Sequence, residues 1–113
     1  MGLTMLMLLD GCPRPTHDSW TLQQVEGEAR GLMATHPVDP AKGWAEVPKN
    51  EWPPIIASLD PEMVWRMHGG VRVIVKPFFD GGWGYFIPPR TDHATPNPCY
   101  RRLSESVYWH DPC

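Results

Sequence analysis

The chain has 113 residues, a length that suits one domain with one core. A net charge of −3 removes the electrostatic case for DNA, RNA or an anionic membrane surface as partner. Hydrophobic residues at 42% argue against wholesale disorder, and 14 prolines favour short elements and long irregular connections over a helical bundle.

Residues 3–9 are apolar, and Asp10-Gly11-Cys12 leads into a proline-rich stretch, 13–18, with the composition of a tether. Leu9, Gly11 and Cys12 resemble the end of a bacterial lipoprotein signal. That resemblance implies lipidation at Cys12, a place in the bacterial cell envelope or periplasm, and membrane contact only through the anchor. The alternative is a cytoplasmic protein with an amino-terminal strand or buried arm. The apolar run is far shorter than the roughly 20 residues of a membrane span. The chain therefore divides into a signal-like segment and tether, 1–18, and a single domain, 19–113. Three cysteines leave one over. If Cys12 carries lipid, Cys99 and Cys113 form a natural disulfide in an oxidising compartment, closing a loop of about fifteen residues worth roughly 3 kcal/mol. Three reduced thiols are the alternative.

The spacing of Leu22, Val25, Ala29 and Leu32 predicts a helix over Thr21–Ala34. Thr21 and Gln24 have capping-box spacing, with Asp18 or Ser19 as alternative caps. Gly27 and Gly31 weaken the helix and offer it a close approach to a sheet. Residues 35–54 form a long proline-punctuated connection without periodicity. Pro53 and Pro54 suit the start of a second, short helix that stops before Pro61.

Strand character follows. "EMVWRM" and "VRVIVKPFF" flank the turn residues His68-Gly69-Gly70. Val71, Val73 and Val75 share one face; Arg72, Ile74 and Lys76 share the other, which is partly apolar. Asp80-Gly81-Gly82 separates this run from "WGYFIP" and has the composition of a tight hairpin with room for a bulge. Asp80 is accordingly a turn former rather than an acid or base. Gly84 inside the next strand suggests a bulge or a ring lying over the backbone. A final strand lies in "SVYWH", with Val107 and Trp109 on one face. The expected fold is α+β, with one main amino-terminal helix and a short helix packed on a three- to four-stranded antiparallel meander. Over residues 50–110, the order Trp52, Pro53, Ile56, Leu59, Pro61, Val64, then "GVRV", "WGYF", "YRRL" and "VYW" resembles small uncharacterised bacterial proteins. The resemblance implies one compact unit.

Signatures of chemistry are sparse. The sequence has no nucleophile elbow, zinc-protease helix or P-loop. His93, Cys99, His110 and Cys113 are four zinc-compatible ligands without compact pairing, and Cys99 with His110 would make a thiol–imidazole pair only if the fold joined them. Glu51, Asp60, Asp80 and Glu105 are scattered. No cofactor is expected. Six tryptophans either fill the core or line a recognition surface. The residues proposed for that surface are Trp83, Tyr85, Tyr100, Arg101, Tyr108 and Trp109. The leading expectation is a non-enzymatic binding or interaction domain with a protein or envelope partner. An immunity-type inhibitor of a secreted toxin or envelope enzyme is the second, and a small zinc or thiol enzyme the third.

Overall fold

A computed structural model describes residues 12–78, 82–90 and 98–112. Helix α1 runs Ser19–Thr35 and buries Leu22, Val25, Ala29 and Leu32, the stripe expected from the spacing. Its cap is Asp18, whose Oδ2 accepts from the Thr21 backbone N–H at 2.9 Å and from the Thr21 hydroxyl at 2.7 Å. The helix therefore starts before Thr21, and the Thr21–Gln24 box is not the cap. Gly27 and Gly31 do not bring it close to the sheet: both are exposed, and a Cβ at either would meet open space.

Helix α2, Pro54–Ser58, follows a single 3₁₀ turn at Lys49–Glu51. Pro54 opens it without an N–H to satisfy, but the next two donors still need acceptors. They come from the other helix: Glu28 on α1 takes the Ile55 N–H at 3.0 Å and the Ile56 N–H at 2.8 Å, one on each carboxylate oxygen. This crossed cap sets α2 against α1. Asp60, at φ 56°, turns the chain out of the helix just before Pro61.

The sheet has six strands: β1 Trp44–Glu46, β2 Met63–Met67, β3 Gly70–Lys76, β4 Trp83–Ile87, β5 Tyr100–Arg102 and β6 Tyr108–His110. Their spatial order is β1-β2-β3-β4-β6-β5, and every pairing is antiparallel. The α+β class and the two helices match the expectation, while the strand count exceeds it. The two unforeseen strands, β1 and β5, have three residues each, too few for alternation to show. β1 lies inside the connection that carried no periodicity, and the Val47 N–H extends its pairing by donating to the Val64 carbonyl at 2.8 Å.

Both helices pack on one face. Register places Val64, Val73, Tyr85 and Trp109 in one row on that face, with Val71 and Ile87 in the next. These residues join Val25, Ala29, Leu32 and Ile56 in the core. Tyr85 and Trp109 meet edge to face, centroids 5.0 Å apart. Arg30 ties α1 to the end of β4 by donating from Nη1 to the Pro89 carbonyl at 2.6 Å. The Thr16 N–H donates to the Tyr85 hydroxyl at 2.8 Å, so the stretch 13–18 is fastened to the sheet before the helix begins.

His68 and Gly69 lie between β2 and β3, in the expected hairpin. Asp80 and Gly81, the centre of the second expected turn, lie outside the described residues. Gly82 has φ 88°, and a Cβ there would sit 2.1 Å from the Lys76 carbonyl oxygen. The bulge falls on β3, where register shifts between Ile74 and Lys76. What lies over Gly84 is backbone, the Val73 carbonyl, 2.1 Å from the position of a Cβ.

Two substitutions test this account. Glu28→Ala should lower stability by about 1–2 kcal/mol, because two helix donors lose charged acceptors. Gly27→Ala should raise it by up to about 1 kcal/mol, since the position is helical and open. Urea denaturation monitored by circular dichroism reads both; an unchanged midpoint for Glu28→Ala would remove the cap from the account.

Candidate functional site

The helices cover one face of the sheet, so the residues pointing the other way define what the molecule presents there. One cross-strand row spans all six strands on that side: Glu46, Trp65, Arg72, Phe86, Tyr108 and Arg102. Trp44 and Met67 flank it on one side; Met63, Ile74, Gly84, His110 and Tyr100 flank it on the other. Strand alternation determines this membership, because residues two apart share a face.

At the β1–β2–β3 end the row opens into a groove with a cavity volume of about 300 Å³. Its lining is Trp44, Met63, Trp65, Met67, Arg72, Ile74, Pro77 and Phe78. Trp44 and Trp65 pack with centroids 4.6 Å apart. Trp44 is 40% exposed and Phe78 50%, so the rim is apolar surface in contact with water. Among the described residues of that lining, Arg72 supplies the charged side chain.

At the β4–β6–β5 end the same face is closed by its own rings. Phe86 meets Tyr100 edge to face at 5.4 Å, and Arg102 lies over Tyr108 at 5.6 Å, donating to its hydroxyl at 3.2 Å. Arg72 donates from Nη2 to the Tyr100 hydroxyl and so joins the two halves.

His110 lies beneath this ring cluster, 3% exposed and with its ring 5.5 Å from that of Tyr100. Its Nδ1 faces the Gly82 carbonyl at 2.8 Å. A carbonyl can only accept, so Nδ1 carries the proton and Nε2 is the free lone pair. Burial, reinforced by the Arg72 charge, lowers the His110 pKa to about 4, against the opposing pull of the Gly82 bond and Asp111.

The residues proposed from sequence as one surface are split between the two faces. Tyr85 and Trp109 are 3% and 1% exposed and belong to the core under the helices. Trp83 packs against that core, and Arg101, opposite Trp109, lies on the same side but exposed. Tyr100 and Tyr108 are on the uncovered face, half-buried and buried. The grouping failed because a two-residue period assigns faces only within one strand. Register between strands comes from the fold. The residues it missed are Trp44, Met63, Trp65, Met67 and Arg72; the alternation of large apolar side chains at 63, 65 and 67 was the available signal.

Of the zinc and thiol candidates, Cys99 and His110 lie among the described residues. Among the described residues, no three His, Cys, Asp or Glu side chains come together as a metal site. His93 and Cys113 lie outside those residues. Cys99 immediately precedes Tyr100, the cross-strand partner of His110, and its carbonyl accepts from the Asp111 N–H at 3.2 Å. Cys12 is exposed, while its expected signal segment, residues 1–11, lies outside the described residues. No helix among the described residues is long and apolar enough to cross a membrane.

No protein-family model, curated protein or solved structure matches the chain. The site therefore stands on its own geometry.

The buried imidazole makes stability depend on acid. An unfolded histidine takes up its proton near pH 6.5, whereas His110 in the fold resists until about pH 4. Its contribution is complete above pH 6.5 and is lost progressively as pH falls towards 4, amounting to about 3 kcal/mol. Urea midpoints between pH 7 and pH 4 should fall more steeply for the native chain than for His110→Gln. Parallel curves would exclude His110 as the group responsible.

Proposed function

We propose that this chain is a non-enzymatic binding domain of a small bacterial envelope protein, and that its contact surface is the uncovered face of the sheet. The observation that carries this reading is the open apolar groove at the Trp44–Trp65 end of a face that neither described helix covers. Exposed aromatic surface gathered around one concavity costs solvation in the free protein and favours an occupant. A dispersed set of surface rings would carry no such implication. Among its described residues the groove holds one arginine and no nucleophile or acid–base pair, which suits recognition rather than turnover.

The envelope half of the proposal takes exposed Cys12 as the anchor point and would join Cys99 to Cys113 in a disulfide. The Asp111 N–H donates to the Cys99 carbonyl at 3.2 Å, so the chain already runs beside Cys99 two positions before Cys113. A bridge there would pin the carboxyl end to β5.

Two measurements test the two halves. Nile red, a neutral apolar dye, should bind saturably at one site per chain, and Trp44→Ala with Phe78→Ala should weaken it by about tenfold while preserving the fold. Absence of saturable binding would remove the groove from the reading. Intact mass of the chain recovered from a bacterial periplasm should show two cysteines that alkylate only after reduction. Free alkylation of all three would place the protein in a reducing compartment.

A further inference from the structure

The groove has a chemical bias beyond apolarity. Trp65 and Arg72 are direct cross-strand partners, and both line it. The Trp65 Nε1–H and the Arg72 Nε–H are each buried and have no acceptor among the described residues. Arg72 spends one N–H on the Tyr100 hydroxyl, a neutral partner, and forms no ion pair with a carboxylate among the described residues. The nearest carboxylate along the row is Glu46, beyond Trp65 at the exposed edge strand. A buried donor without an acceptor is an unfavourable arrangement in the empty protein, and a partly buried cation without a counter-charge is another.

Resting on the reading of this face as the recognition surface, we propose that the groove binds a small apolar carboxylate. An aromatic or branched hydrocarbon body would sit against Trp44, Trp65, Ile74 and Phe78, with its carboxylate directed to Arg72 and the Trp65 indole N–H. The charge selects the anion, because a carboxylate accepts from guanidinium and indole at once and supplies the counter-charge that neither Tyr100 nor a neutral ligand provides. The volume selects the size: about 300 Å³ is at the small end of ligand sites and suits a single-ring acid, not a lipid chain with its headgroup. Met63 and Met67 are flexible side chains within the lining and supply the rotamer freedom needed to uncover the two N–H groups.

The test compares N-acetylphenylalanine with its neutral isostere N-acetylphenylalaninamide, using quenching of tryptophan fluorescence at fixed ionic strength. The carboxylate should bind about tenfold more tightly than the amide. Arg72→Met, which keeps length and removes charge, should abolish that preference. Equal affinities in the native chain would overturn the proposal while the groove remained a binding site. Failure of both compounds and of Nile red would overturn the recognition surface itself. A preference that survived in Arg72→Met would also overturn the assignment. In the native chain, NMR supplies a readout independent of that variant's folding: the Trp65 Nε1–H and Arg72 Nε–H resonances should both move with the acid and stay still with the amide. Unmoved resonances under saturating acid would count against it.

Discussion

The two described helices, one main and one short, cannot cover both faces of a six-stranded sheet. A 17-residue helix is roughly 26 Å long, comparable with the width of six strands at about 4.8 Å spacing, so α1 with α2 can close one face and no more. The rest follows from that inequality. The covered face is built of valines, Ile87, Tyr85 and Trp109 that need no polar partner beyond the Tyr85 hydroxyl and the Trp109 indole N–H, which donates to Asp111 at 2.9 Å. The uncovered face must limit its own contact with water.

It does so unevenly. At the β5–β6 end, Phe86, Tyr100, Tyr108 and Arg102 lean on one another, and Arg102 screens the Tyr108 ring as an amphipathic stem with a charged head. At the β1–β2 end the described residues form no such closure, and Trp44 and Phe78 meet solvent beside a concavity. One face thus contains a sealed half and an open half, and Arg72 belongs to both through Tyr100 and Trp65. That position explains why the arginine is functionally interesting and structurally constrained at once. Its charge also reinforces burial, the larger cause, in lowering the pKa of His110 in the sealed half.

The carboxylate of Glu28 has an analogous double position. It is a helix-surface residue of α1 by sequence, yet it terminates α2 by supplying both oxygens to backbone donors of the other helix. Proline at the first position of α2 makes this economical, since only the next two N–H groups need satisfying there. A short helix that could not persist alone is thereby held against the core by one side chain and by Ile56, which is fully buried.

Local chemistry made much of this legible in the sequence. The α1 stripe, the second helix between Pro54 and Pro61, the His68-Gly69 hairpin, the core face of β3 and the pairing of Val107 with Trp109 all follow from spacing over a few residues. Backbone sterics and side-chain period determine such features without knowledge of the rest of the chain. Tertiary structure alone decided three others. It recruited the three-residue edge strands, whose existence depends on a partner strand rather than on their own pattern. It aligned Glu46, Trp65, Arg72, Phe86, Tyr108 and Arg102 into one row, because register is a relation between distant segments. And it chose which face the helices left open, which turned Tyr85 and Trp109 into core and Trp65 and Arg72 into the wall of a groove.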